Sequence, residues 1–151
     1  HVLSANFFDD LSTVKHYLPI SSQSLSEITS DGNSGVDYIA PCNFRVLSVQ
    51  AKFTSLSGNG DLTIGVESSD IAASPTSKSV VETEAVSVTS TDDNKVIHFL
   101  FDNAAVTAGQ NMSLSIQASA DVTGSSNVFV SVVLEMDWAT RFTQSSAVIA
   151  S

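Results

Sequence analysis

The stretch NVFVSVVLEMDW, residues 127–138, sets Val128, Val130, Val132, Leu134, Met136 and Trp138 at every second position. A period of two puts all six on one face of an extended strand, whereas a helix would bring apolar residues round every three or four positions. The same grammar holds on either side. In 111–118 (NMSLSIQA), Met112, Leu114, Ile116 and Ala118 alternate with Ser113, Ser115 and Gln117. In 44–53 (FRVLSVQAKF), Leu47, Val49, Ala51 and Phe53 face away from Ser48, Gln50 and Lys52, and in 61–67 Leu62, Ile64 and Val66 alternate with Thr63 and Gly65. Residues 95–102 (KVIHFLFD) are apolar on both faces, as a central strand can be. Weaker strands fit 14–20, 36–40 and 79–89.

Turn residues separate these runs: Asp31-Gly32-Asn33-Ser34-Gly35, Ser57-Gly58-Asn59-Gly60-Asp61, Ser74-Pro75, Asp92-Asp93-Asn94, Ala108-Gly109-Gln110 and Gly124-Ser125-Ser126. Gly58 to Asp61 suits the positive φ of a tight hairpin. About eight strands at this spacing predict an all-β chain: a single antiparallel β-sandwich, jelly-roll-like, spanning 14–138. The flanks, 1–13 and 139–151, are apolar at Phe7, Phe8 and Leu11 and at Phe142, Val148 and Ile149. They are expected to be terminal arms docking on a neighbouring subunit, the alternative being that they pair with their own sheet edges. With Trp138, these six make up the candidate subunit contacts.

Composition sets limits on function. The 151 residues carry 16 acids and 6 basic side chains, a formal charge of −10, with 27 Ser and 12 Thr. Six scattered cations cannot build a phosphate-binding groove, so nucleic acid is not expected as a partner. No apolar run approaches the ~20 residues of a transmembrane helix, and no membrane partner is expected. A composition 42% hydrophobic is too apolar for a disordered acidic chain. Residues 1–13 lack the cationic start and apolar core of a signal peptide. Cys42 is the one cysteine, so it has no disulfide partner in the chain and reads as a small buried hydrophobe.

Chemistry is thinly signalled. No nucleophile elbow, zinc-protease helix motif, Walker loop or dinucleotide fingerprint occurs, and His1, His16 and His98 have no metal-ligand spacing. His98 shares a face with Val96 and Leu100 and reads as a core or interface histidine. Glu82 with Glu84, and Glu135 with Asp137, share strand faces, where solvent or a cation is the expected neighbour rather than a sugar. The Asp31 turn resembles the start of a calcium loop but has Cys42 in place of the closing Glu, and Asp92-Asp93-Asn94 offers oxygen ligands. Asn111-Met112-Ser113 matches a glycosylation acceptor at the start of a strand. One Trp and two Tyr are few rings for a sugar platform. The expectation is no enzyme, no cofactor and no metal.

The order of several short motifs resembles the β-sandwich decoration, head-fibre and tail-fibre proteins of tailed bacteriophages of the marine and cyanobacterial type. The motifs are Tyr17-Leu18-Pro19-Ile20, Ser26-Glu27, Tyr38-Ile39-Ala40-Pro41 before Arg45-Val46-Leu47-Ser48-Val49, Gly60-Asp61-Leu62-Thr63-Ile64-Gly65, and Val106-Thr107-Ala108-Gly109-Gln110 before Leu114-Ser115-Ile116. They span roughly residues 17–136, and Cys42-Asn43-Phe44 departs from the tighter turn usual there. The resemblance implies a non-enzymatic virion protein on the outer surface of a capsid or on a fibre. Its role would be capsid decoration or cement. It would form a homotrimer and touch other virion proteins such as the major capsid protein. The alternative is a receptor- or glycan-binding module of a fibre.

Overall fold

Period-two alternation becomes ten strands in the computed structural model, which describes residues 1–20, 37–70 and 78–140. They are β1 (Val2–Leu11), β2 (His16–Leu18), β3 (Tyr38–Ile39), β4 (Asn43–Phe53), β5 (Gly60–Asp70), β6 (Ser79–Val88), β7 (Val96–Leu100), β8 (Ala105–Val106), β9 (Gln110–Ala118) and β10 (Gly124–Asp137). One sheet runs β1-β10-β4-β7, with β8 added on β4. The other runs β2-β9-β5-β6, with β3 added on β9. Every pairing among them is antiparallel.

Without the two-residue β3 and β8, the strands pair first with last and so on inward: β1 with β10, β2 with β9, β4 with β7, β5 with β6. This nested pairing is the winding of a jelly roll, divided here between two four-stranded sheets. The chain is therefore an all-β antiparallel sandwich. Its core lies between the sheets. Phe7, Phe44, Val49, Phe53, Phe99, Val130 and Val132 of the first sheet face Leu18, Leu62, Ile64, Val66, Met112, Leu114 and Ile116 of the second.

Several expectations change. Residues 2–11 are not an arm: β1 pairs with β10 along its whole length, from Val2 opposite Val133 to Leu11 opposite Gly124. Phe7 and Leu11 are buried in the chain's own core, so neither is a subunit contact. Leu3, Ala5, Phe7 and Leu11 alternate inward, a pattern masked in the sequence by the doublets Val2-Leu3 and Phe7-Phe8. Phe8 lies on β1, but its side chain is outside the described residues, as are Phe142, Val148, Ile149 and the Asp31–Gly35 turn.

The Gly58–Asp61 turn joins no hairpin, because β4 and β5 belong to different sheets. It is a corner crossing between them. Gly58 has φ +85°, and a Cβ there would lie 1.7 Å from the Asp121 carbonyl oxygen. On β4, the pairing with β10 slips between Val133–Ser48 and Leu134–Val46, leaving Leu47 as the extra residue of a bulge. Phe44 and Val46 therefore point inward before the bulge, Val49, Ala51 and Phe53 after it, and Leu47 is exposed. β7 lies at the end of its sheet's path rather than the centre, and it alternates: Ile97 and Phe99 inward, Val96, His98 and Leu100 outward. His98 is thus no core residue.

Candidate interaction surface

The two outer faces of the sandwich differ in kind. On the first sheet, registers align side chains in three rows across four strands. They are Asn6–Phe129–Lys52–Val96, Ser4–Ser131–Gln50–His98 and Val2–Val133–Ser48–Leu100. Directly opposed residues of antiparallel strands stand close enough for their side chains to touch, so each row is a continuous strip. Leu100 is 67% exposed, Val96 53% and Phe129 45%. These rows hold one lysine, one histidine and no acid, in a chain of charge −10. A shallow depression between β1, β10 and β4 is floored by Ala5, Ala51 and Val130 and rimmed by Phe129, Val96 and Lys52. At the far end Arg45 pairs with Glu135 on the surface, its Nε 2.9 Å from Oε2. Trp138 follows β10 in a 3-10 turn and is exposed, so it does not cap the core.

The outer face of the second sheet is polar yet covered. Its hydroxyls Ser113 and Ser115, which alternate with the apolar residues of β9, and Ser69 of β5 point away from the core but are buried. Glu67 is buried among donors: Lys15 Nζ at 2.6 Å, Tyr17 Oη at 2.9 Å and Ser115 Oγ at 3.1 Å. Gly65 makes room for this cluster, since a Cβ there would come within 2.7 Å of Ser115 Oγ. Beside it, Lys78 Nζ sits 2.8 Å from Asp37 Oδ1 and 4.4 Å from the centre of the Tyr17 ring. Nothing in sequence spacing brings Lys15, Asp37, Glu67 and Lys78 together. Their juxtaposition comes from β2, β5 and β9 lying side by side, with Asp37 and Lys78 each one residue ahead of a strand.

Three of the carboxylates weighed for catalysis or calcium, Glu82, Asp92 and Asp93, are held by the fold. Glu82 accepts the backbone N–H groups of Asp102 and Asn103 at 3.0 and 2.8 Å. Asp92 closes a capping box with Thr89 at a 3-10 turn, Ser90–Asp92, and Asp93 accepts the Leu56 N–H at 2.9 Å. The Thr89 backbone N–H, then Lys95 and the Thr89 hydroxyl, hold the Asp92 carboxyl below its ordinary value. Burial, then the neighbouring Cys42, push the Tyr38 hydroxyl up. Cys42 is fully buried and His16 lies inside β2, buried, 3.2 Å from the Ser12 hydroxyl. Among the described residues no group of three or more His, Cys, Asp or Glu is placed to hold a metal ion. Asn111 of the glycosylation motif pairs with Ile39 inside the sheet and Ser113 is buried.

No protein-family model matches the chain, and no curated protein matches it. Solved structures with related shape include PirA, at 15% identity over 88% of this chain and 94% of that one, with a TM-score of 0.39. A second is the Clostridium thermocellum endo-1,4-beta-D-xylanase 10B CBM22-1–GH10 modules in complex with xylohexaose. It shows 12% identity, 92% of this chain against 28% of that one, and a TM-score of 0.43. A third is Eiger TNF from S. frugiperda, at 11% identity, 90% and 94% coverage, and a TM-score of 0.38. At these identities and TM-scores they carry no argument about this chain, whose class rests on its own strand pairing. The class defined here is a jelly-roll β-sandwich whose first sheet, among the described residues, has an uncovered outer face.

Proposed function

We propose that this chain is a non-enzymatic structural protein of a virion surface, a capsid decoration or cement protein that assembles with its own copies as a homotrimer. The observation that carries the reading is the outer face of the first sheet, left uncovered by the described residues: its three rows carry no acid, and Val2, Phe129, Val96 and Leu100 stand exposed in the two outer rows. Two copies of a −10 chain repel each other over most approaches. The three rows are where they meet without opposed carboxylates. The polar row Ser4–Ser131–Gln50–His98 can hydrogen-bond across a contact without burying an unpaired charge. A cyclic trimer sets this face against a different patch of the next copy, a heterologous contact repeated by the symmetry. With β1 built into the sandwich, the N-terminal segment is not the link and the face takes over that role. Attachment to a capsid protein is the remaining contact of such an assembly.

Antibody against the chain, applied to intact particles released from cells carrying its gene, is expected to decorate particle heads. Label confined to the particle-free supernatant would contradict the virion assignment. Label on fibre tips would favour the receptor- or glycan-binding role.

A further inference from the structure

We propose that Lys78 and Asp37 are joined by an intramolecular amide bond between Nζ and the side-chain carboxyl carbon, formed by the protein on itself after folding. The two groups are already in contact, Nζ to Oδ1 at 2.8 Å. Their side chains are only 2% and 3% exposed. Taking both charges out of water is costly, and their mutual attraction repays that cost only in part. A desolvated neutral lysine amine is a nucleophile. Held against one carboxyl, it reacts without the entropic cost of an encounter between separate molecules.

Every atom of the product is present in the pair. One proton passes from Nζ to the carboxylate and comes to rest on Oδ2, leaving a neutral amine and a neutral acid whose carbonyl oxygen is Oδ1. The nitrogen lone pair then forms the N–C bond at the carboxyl carbon, and the C=O electrons move onto oxygen. The Ser113 hydroxyl, which donates to Oδ1, stabilises that developing charge. As the carbonyl re-forms, the C–OH bond breaks, a second nitrogen proton joins the leaving oxygen, and one water departs. Charge balances without an oxidant, a reductant or a co-reactant. The Tyr17 ring, buried beside Nζ, keeps water from the site.

The bond would strap the second sheet. Asp37 leads into β3, which pairs with β9, and Lys78 leads into β6, which pairs with β5, so the link crosses the polar outer face between them. It closes a loop between residues 41 apart in sequence. Self-association of the first sheet is a separate matter and neither idea needs the other.

Intact-mass spectrometry of the denatured full chain tests it. The expected mass is lower than the sequence mass by one water, and Lys78→Arg, which keeps the charge and removes the nucleophile, restores the full mass. Full sequence mass in the unaltered protein overturns the proposal and leaves an ion pair. Dehydration at Asp31-Gly32 would give the same deficit. A deficit that persists in Lys78→Arg therefore also overturns it. Should that variant fail to fold, tryptic digestion of the unaltered protein decides. A branched peptide joining the segments of Asp37 and Lys78, uncut after Lys78, supports the bond, and separate linear peptides exclude it.

Discussion

Single residues show what holds the sandwich. Gly58 sits at positive φ with a carbonyl where a Cβ would go. Gly58→Ala is therefore expected to cost at least about 2 kcal/mol, read as a lower urea midpoint at unchanged slope. Glu67 is the acceptor on which Lys15, Tyr17 and Ser115 converge. Glu67→Ala removes the buried acceptor that Tyr17 and Ser115 share while Lys15 can turn to water, a loss of about 2–4 kcal/mol in the same measurement. Asp92 sets a pH signature. Its carboxyl titrates lower in the folded chain than in the unfolded one, so its contribution is present above the unfolded value and fades as pH falls through the folded one. Asp92→Asn is expected to lower stability at neutral pH. Denaturation curves of variant and parent should converge in acid below the ordinary Asp range.

Elements divide by how plainly their alternation was written. β10, β9 and β5 are legible because they lie inside their sheets and bury one clean face: Val128, Val130, Val132 and Leu134 on β10, and Leu62, Ile64 and Val66 on β5. The β4 alternation was read from its second half, and the Leu47 bulge inverted the first, since one inserted residue flips every side chain beyond it. β1 was hidden by its apolar doublets and by the expectation that chain ends lie outside the fold. Phe7→Ala distinguishes strand from arm: a core phenylalanine costs about 3–5 kcal/mol when truncated, measurable by chemical denaturation, and an arm residue costs almost nothing. The surface was legible only in part. His98, Val96 and Leu100 share a face in the sequence, but which face, and its alignment with Phe129 and Val2, depended on strand order. The Lys78–Asp37 contact had no local signal at all.

At the scale of the molecule, charge and shape meet in one surface. No acid falls within the three rows of the first sheet, so contact along them buries exposed apolar side chains without opposing carboxylates. Repulsion between the rest of the surfaces remains, and salt screens it. Self-association is therefore expected to strengthen from low to moderate ionic strength, seen as a shift of the sedimentation profile towards the heavier species. The direct measurement is light-scattering mass behind size exclusion, on the unaltered chain and on a Leu100→Glu, Phe129→Glu double variant. Both changes fall on exposed side chains, so the unfolding midpoint should stay within a small margin. The account predicts about three times 15.8 kDa for the unaltered chain and 15.8 kDa for the variant. A monomeric mass for the unaltered chain at micromolar concentration, or a trimer that survives both substitutions, would contradict it.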